Sequence, residues 1–297
     1  MSSRGVVPEH LDRCVACEDP GPFRLFMPIK GARGSEGEGV QMPSTRCPKC
    51  QLVFLNPRLP CDAVRTFYEQ SERLSSYFTT GFKAKVDSNG GFAPFVTLLK
   101  PQLTENQREL FDIGCGTGAL MRVMQAAAFQ VAGAEISPSV SAIGRAEFGL
   151  DIMTAAADEA IERLRQQGRT FDVVTMVHTF EHLPFPLQVL EALRSILRPN
   201  GLVAINVPNV RFFLTPLDRL LGTQTAGIWD PVGHFSYFSL GSLGAVCQRA
   251  GYTVVARDSR LLIYGRRGLA GLLDDAASRL CRNFGGIGSN VTVIARR

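Results

Sequence analysis

At 297 residues the chain has room for two domains, taking about 150 residues for each. Its 45% hydrophobic and 20% charged residues exclude a disordered polypeptide. Lys and Arg total 32 against 27 Asp and Glu, and the resulting +5 is too small to mark a nucleic-acid surface by charge alone. No run approaches the roughly 18 apolar residues of a membrane span. The opening MSSRGVVPEH lacks the apolar core of a signal peptide, so a cytoplasmic location is expected.

The first 60 residues differ in texture from the rest. Four of the eight cysteines fall here as two C-x-x-C pairs, Cys14 with Cys17 and Cys47 with Cys50. In a reducing compartment that spacing points to a metal, and four thiolates complete a tetrahedral Zn²⁺ site with no open position for catalysis. Between the pairs, KGARGSEGEG is too rich in glycine and charge for a core and suits a hairpin tip. After Cys50, QLVFLNP has the alternation of a short strand, and Pro57 and Pro60 close the unit. Residues 1–60 therefore form an expected zinc ribbon. It is either a staple for a module too small to bury a core or a module that recruits substrate. Cys61, Cys115, Cys247 and Cys281 remain as packing or surface thiols.

Residues 61–100 are expected to be a helical connector, with Val64, Phe67, Tyr68 and Leu74 at helical spacing and GFKAKVDSNGG as a loop. Beyond Pro101 strands and helices alternate, the pattern of a parallel sheet with crossover helices, so a second domain is placed at 101–297. Strands are expected at RELFDIG, QVAGAEI, LDIMTA, FDVVTMV, LVAINV, YTVVA and NVTVIAR. Helices are expected at GALMRVMQAAAF, PSVSAIGRAEF, LQVLEALRSILRP and SLGSLGAVCQRAG, with Pro199-Asn200-Gly201 as a turn.

The strand ELFDI runs straight into Gly114, Gly116 and Gly118 and then a helix. Such glycines permit a tight turn and let backbone amides approach a ligand at a helix N-terminus. The loop lacks the Lys and Ser/Thr of a nucleotide P-loop and the third-glycine spacing of a dinucleotide fingerprint. Asp112, just before it, would repel phosphate but could accept from a cationic amino group. Glu135, at the end of the second strand, stands where a carboxylate accepts ribose hydroxyls, and Asp158 could accept from an adenine amino group.

On these residues the sequence resembles the class I S-adenosylmethionine-dependent methyltransferases. The resemblance covers Leu110 to Arg297 and rests on LFDIGCGTG, GAEIS, AAAD, FDVVTMVHTFEHL and LRPNGLVAINVPN. It implies an α/β, Rossmann-like sheet of seven strands with helices on both faces, strands six and seven antiparallel at one edge, and S-adenosylmethionine over the carboxyl ends of strands one and two. It further implies cofactor contacts from Asp112, Gly114, Cys115, Gly116 and Gly118 in the loop, Glu135 at the ribose, Ile136 at the adenine face and Asp158 at the adenine edge, where Glu159 would serve as well. The N-terminal unit is similar to zinc ribbons in front of bacterial methyltransferases of sugars and secondary metabolites, although this chain lacks the third domain of the sugar C-methyltransferases.

His178, Glu181 and His182 follow the fourth strand in VHTFEHL, and His234 lies in WDPVGHFSYFS. An imidazole there could take a proton from an attacking hydroxyl, with His234 or His178 preferred. The four residues could instead hold a divalent ion. The resemblance gives this some support: ubiquinone-pathway and small-RNA methyltransferases carry Glu-x-x-Glu-His with a metal here, but His178 replaces the first Glu. A third reading makes Glu181 and His182 a capping turn. Phe212, Phe213, Trp229 and Tyr237 are candidate wall residues for a substrate. The segment 260–288, with Arg266, Arg267, Arg279 and Arg282 around an apolar run, has the pattern of a basic amphipathic helix that could rest on anionic lipid. The eight arginines from Arg257 to Arg297 exceed the three aspartates among them by the whole formal +5, so the basic excess is local.

The expected activity is transfer of a methyl group to a hydroxyl of a small molecule, a sugar moiety or secondary metabolite. N- or C-methylation, an RNA methyltransferase using its ribbon, and a non-enzymatic binding module are the alternatives. The mixed charge of the ribbon and the absence of an aromatic and basic stripe argue against nucleic acid.

Overall fold

The computed structural model describes residues 7–31, 38–70, 92–211, 230–260 and 288–297. Two antiparallel strands, β1 (Arg24–Lys30) and β2 (Gln41–Arg46), form a hairpin that β3 (Val53–Leu55) extends. Helix α1 (Cys61–Gln70) follows, then α2 (Ala93–Leu99). The alternating region is β4 (Glu109–Ile113), α3 (Ala119–Ala126), β5 (Gln130–Glu135), α4 (Pro138–Phe148), β6 (Ile152–Thr154), α5 (Ala157–Gln166), β7 (Phe171–Val177), α6 (Pro186–Leu193) and β8 (Leu197–Pro208). After it come the two-residue β9 (Ser236–Tyr237), α7 (Leu240–Arg249), β10 (Thr253–Arg260) and β11 (Asn290–Arg296).

Seven strands form one sheet in the order β10-β11-β8-β7-β4-β5-β6. The β4, β5, β6, β7 and β8 neighbours pair in parallel, while β11 is antiparallel to both β8 and β10. The expected antiparallel edge is thus the β10–β11 pair, and β11 alone runs against the other strands. Successive residues of each central strand serve opposite faces. Phe111, Val174 and Ile205 pack into one core with α5, α6 and α7, whereas Leu110, Val173 and Leu202 pack into another with α2 and α3. Both faces are covered, as a parallel sheet requires.

Local sequence explains the helix ends. Ser137 caps α4 by accepting from Val140, Pro138 occupies its first turn, and Gly149 closes it at φ 63°. Ser239 and Ser242 form a reciprocal capping box on α7. Two expectations need correction. No helix was read from ADEAIERLRQ, yet α5 forms there, burying only Ala160, Ile161 and Leu164 with acids in its first turn and arginines in its last. The helix expected through Pro199 ends at Leu193, and β8 starts at Leu197, with Pro199-Asn200-Gly201 carried as an irregularity in its pairing with β7.

The ribbon is joined to the rest of the chain through backbone and core. β3 pairs with β9, so the small sheet runs β1-β2-β3-β9 and takes its last strand from the segment after His234. Cys14, Ala16, Cys17, Cys47, Leu52 and Phe54 share a continuous buried cluster with Phe180, Leu243 and Phe238. Phe212, Phe213 and Trp229, the segment 261–287 with its arginines and Cys281, the middle of the hairpin tip, Leu74 and the connector loop GFKAKVDSNGG lie outside the described residues.

Candidate active site

The two C-x-x-C knuckles have the same geometry. In each, the residue after the second cysteine adopts a left-handed conformation (Glu18 φ 60°, Gln51 φ 62°) and donates its N–H to the carbonyl of the first cysteine. The four sulfurs lie within 4.8 Å of one another, with Cys14–Cys50 and Cys17–Cys47 each 3.6 Å apart. A sulfur tetrahedron about 2.3 Å from zinc has edges of roughly 3.8 Å, so the donor set and its spacing fit Zn²⁺. The thiols also cannot ionise independently. The hydrogen bond from Cys50 draws Cys14 down to about 6, while the same bond and burial push Cys50 up.

At the carboxyl edge of the main sheet, β4 neighbours β5 on one side and β7 on the other. Chain connections leave this point in opposite directions and open a crevice, the usual ligand position in such sheets. The glycine loop lies on it. Gly114, Gly116 and Gly118 have φ of 68°, 55° and 86°, and a Cβ at Gly114 would overlap the Thr179 side chain and one at Gly118 the Leu150 side chain. Larger residues are therefore excluded both by conformation and by space.

Asp112 is 3% exposed and accepts a 2.6 Å hydrogen bond from Thr175 Oγ1. Burial, reinforced by the Glu135 charge and only partly offset by Thr175, pushes its carboxyl up to about 7. Glu135 is also buried. It accepts from the Gly116 N–H at 3.0 Å and the Ser137 N–H at 2.9 Å, and burial still raises its pKa. Two carboxylates held this way fit a ligand with a cationic head and hydroxyls, as S-adenosylmethionine has. Ile136 is half-buried beside Glu135. Asp158 is exposed in the first turn of α5, and its neighbour Glu159 pairs with Arg65 of α1 at 3.2 Å. The Cys115 side chain packs with Met121, Leu150 and Ile152, its thiol pushed up by burial, and its N–H is bonded to Ala134. That residue supports the loop from below.

The histidines gather across the crevice. His178 follows β7 at φ 52°, with its side chain one-third exposed and Nδ1 3.6 Å from Glu181 Oε1. His182 Nε2 is 4.0 Å from the same oxygen, and its Nδ1 lies 2.7 Å from the Tyr68 hydroxyl and 3.0 Å from the Gly233 carbonyl. His182 and His234 rings are 4.6 Å apart, and His234 is only 5% exposed. Glu181 is buried, and neither of its carboxylate oxygens accepts a hydrogen bond. Burial pushes its pKa up, but His178, His182 and His234 around it prevail and hold it below its usual value. Ligand atoms of Glu181, His182 and His234 come within 4.8 Å of one another, a set that could hold a cation, and His178 stands outside that set.

Tyr68, expected only as a packing position of the connector, and Thr175 are site residues that the sequence does not announce. Tyr68 sits in a helix whose only signal was apolar spacing, and Thr175 is an ordinary polar residue on the inward face of a strand. Tyr237, read as a wall residue, is 3% exposed and donates its hydroxyl to the Asp230 carbonyl. No helix among the described residues is long and apolar enough to cross a membrane.

A sequence model described as "Methyltransferase domain" matches residues 89–257, more than half of the chain. The ubiquinone biosynthesis O-methyltransferase of Aromatoleum aromaticum is 31% identical over 152 residues, covering 48% of this chain and 63% of the relative. That of Haemophilus ducreyi is 30% identical over 138 residues, covering 41% and 58%. The chain thus spans about three fifths of the length of these relatives. Among solved structures, a SAM-dependent methyltransferase from Archaeoglobus fulgidus superposes with a TM-score of 0.51 at 17% identity, covering 76% of this chain and 100% of the other. The complex of the Haloferax volcanii Trm112 methyltransferase activator with a methyltransferase gives 0.53 at 15% identity, covering 76% of this chain and 98% of the other. These structures share the fold, and the family match over more than half of the sequence places the chain: it belongs to the class I S-adenosylmethionine-dependent methyltransferases.

Proposed function

We propose that the protein transfers a methyl group from S-adenosylmethionine to a hydroxyl of a small molecule, with sugar moieties and secondary metabolites as the leading acceptors. The observation that carries this reading is a one-third exposed imidazole, His178, backed by a buried carboxylate, Glu181, just after the strand that pairs with β4 beside the glycine loop. The naming of the relatives as O-methyltransferases agrees with it.

Asp112 would hold the amino group of the cofactor, Glu135 its ribose hydroxyls, Ile136 its adenine face and Asp158 or Glu159 the adenine edge. The bound cofactor supplies an electrophilic methyl carbon. With Nδ1–H directed at Glu181, His178 presents Nε2 as the acceptor for the hydroxyl proton. The paired carboxylate then stabilises the imidazolium that forms. His234, buried between His182 and Tyr237, suits a supporting place better than the base's. Alignment of the oxygen behind the methyl carbon and exclusion of water supply the rest of the rate.

Two further elements belong to this reading. The ribbon 1–60 holds one structural Zn²⁺ on Cys14, Cys17, Cys47 and Cys50, ahead of a connector over 61–100 and a catalytic region over 101–297. The use of these cysteines as metal ligands is in keeping with the cytoplasm. A second reading takes Glu181, His182 and His234 as ligands of a divalent cation, and it is favoured by the buried Glu181 oxygens, which accept no hydrogen bond.

The test is incubation with isotopically labelled S-adenosylmethionine and a panel of hydroxylated metabolites, followed by mass spectrometry. A gain of one methyl on oxygen, lost in His178→Gln, is expected. Label transferred to RNA with a steep salt dependence, or to nitrogen or carbon, would refute the reading. Metal analysis distinguishes the second reading, which requires two metals per chain where the first requires one.

A further inference from the structure

Arg58 is among the largest fully buried side chains of the protein, at 1% exposure. Burying a guanidinium costs desolvation that an apolar side chain of similar size would avoid, and its contacts offset that cost. They reach four separate segments. Nε meets Glu9 Oε1 at 2.6 Å, one Nη donates to the Pro184 carbonyl at 2.7 Å, and the other donates to Cys61 Sγ at 3.5 Å. The rings of Phe185 and Phe235 lie 4.8 and 4.9 Å from the guanidinium carbon.

Those segments connect the metal knuckles to the histidine cluster. Glu9 and Arg58 exchange both backbone hydrogen bonds, and the Asn56 amide clasps Leu11 from both sides, which fixes the approach to Cys14. Pro184 follows Leu183, the cap of the turn that carries Glu181 and His182. In parallel, the Leu55 N–H donates to Phe235, whose own N–H donates to the Glu181 carbonyl at 3.0 Å. The ribbon therefore holds the Glu181 turn by two routes, one through β3 and Phe235 and one through the Arg58 side chain. Glu181 needs such restraint, because the imidazole nitrogens that face it, His178 Nδ1 at 3.6 Å and His182 Nε2 at 4.0 Å, stand too far to fix its carboxylate by a hydrogen bond.

We infer that Arg58 is a positioning residue of the acceptor site, tying the Pro184 backbone to the zinc ribbon so that Glu181 faces His178 and His182. This rests on the reading of His178 and Glu181 as the proton-accepting pair. It gives the ribbon a second role, as the support of one wall of the active site.

The acceptor need not be known to test it. Imidazole ¹⁵N signals of His178 and His182 are recorded in the full chain for wild type, Glu181→Gln, Arg58→Met and Arg58→Lys, the last keeping the charge beside Glu9 but not the guanidinium fork. Zinc content and the affinity for S-adenosylhomocysteine are measured alongside. Both Arg58 variants are expected to keep one zinc per chain and an affinity within about threefold of wild type, while the His178 signals move towards those of Glu181→Gln. Folded Arg58 variants with wild-type signals would overturn the inference. So would loss of zinc and ligand binding together in both, which would make Arg58 a residue of the fold alone. If Glu181→Gln itself leaves His178 unchanged, the proton-accepting pair fails as a reading. The His182 signals then decide on Arg58 separately, since its Nδ1 partners Gly233, two residues before Phe235.

Discussion

Replacing Asp112 by Asn removes a charge from the cofactor crevice while keeping the side-chain shape and an oxygen for the Thr175 hydroxyl. Burial raises this carboxyl from 3.8 to about 7. At about 1.4 kcal/mol per pH unit, that favours the neutral form by roughly 4 kcal/mol. The folded chain thus keeps a proton that the unfolded chain releases between about pH 4 and 7. The contribution of Asp112 to stability is complete below pH 4, falls as the pH rises through that window, and is gone above it. Asn has no such dependence. Asp112→Asn should therefore melt several degrees above wild type at pH 8, with the gap closing towards pH 4. A bound ammonium group reverses the preference by stabilising the carboxylate. The same variant should then bind S-adenosylhomocysteine at least about tenfold more weakly at pH 8, a loss of about 1.4 kcal/mol. Wild-type affinity should itself rise between pH 6 and 8. Thermal melts across pH with and without ligand, together with titration calorimetry, measure both effects. A variant less stable than wild type at pH 8 that binds the ligand equally well would refute the reasoning.

Other outcomes follow from the same geometry. Gly118→Ala forces a Cβ against Leu150 at φ 86° and should cost about 2 kcal/mol or more in stability and most of the ligand-induced rise in melting temperature. Cys47→Ser should release zinc, read with a chelating dye, and destabilise the whole chain by about 5 kcal/mol or more because the knuckle cysteines lie in the shared core. A melt showing loss of the ribbon alone would contradict that. His178→Gln should lower turnover by a factor of about 10²–10⁴ with ligand affinity unchanged. Tyr68→Phe, which removes the 2.7 Å bond to His182, should destabilise by about 1 kcal/mol, and no measurable change would mean that the Gly233 carbonyl alone orients the ring.

Much of this protein is written locally. The glycine loop, the acids at Asp112 and Glu135 and the paired knuckles are readable because each depends on a few consecutive residues: a positive φ that needs glycine, a strand end that fixes where a carboxylate stands, a tight turn that presents two sulfurs. The alternation of strands and helices is readable for the same reason, through its 2-residue and 3.6-residue periods. The reading failed at α5, where Ala160, Ile161 and Leu164 do stand at helical spacing but form a narrow apolar stripe in a segment otherwise charged and polar. What the chain could not state locally is who meets whom at a distance. His182 takes Tyr68 from 114 residues away, Arg58 reaches Pro184 across 126, and β3 finds its last partner strand beyond His234. Those contacts depend on how the ribbon docks against the sheet, and docking is a property of the assembled surfaces, decided by shape and burial over both units at once. The sequence by itself determined the glycine loop, its two acids and the paired cysteine knuckles, which depend on a few consecutive residues; only the tertiary structure decided that the ribbon and the histidine cluster share one support, because that depends on burial between distant segments.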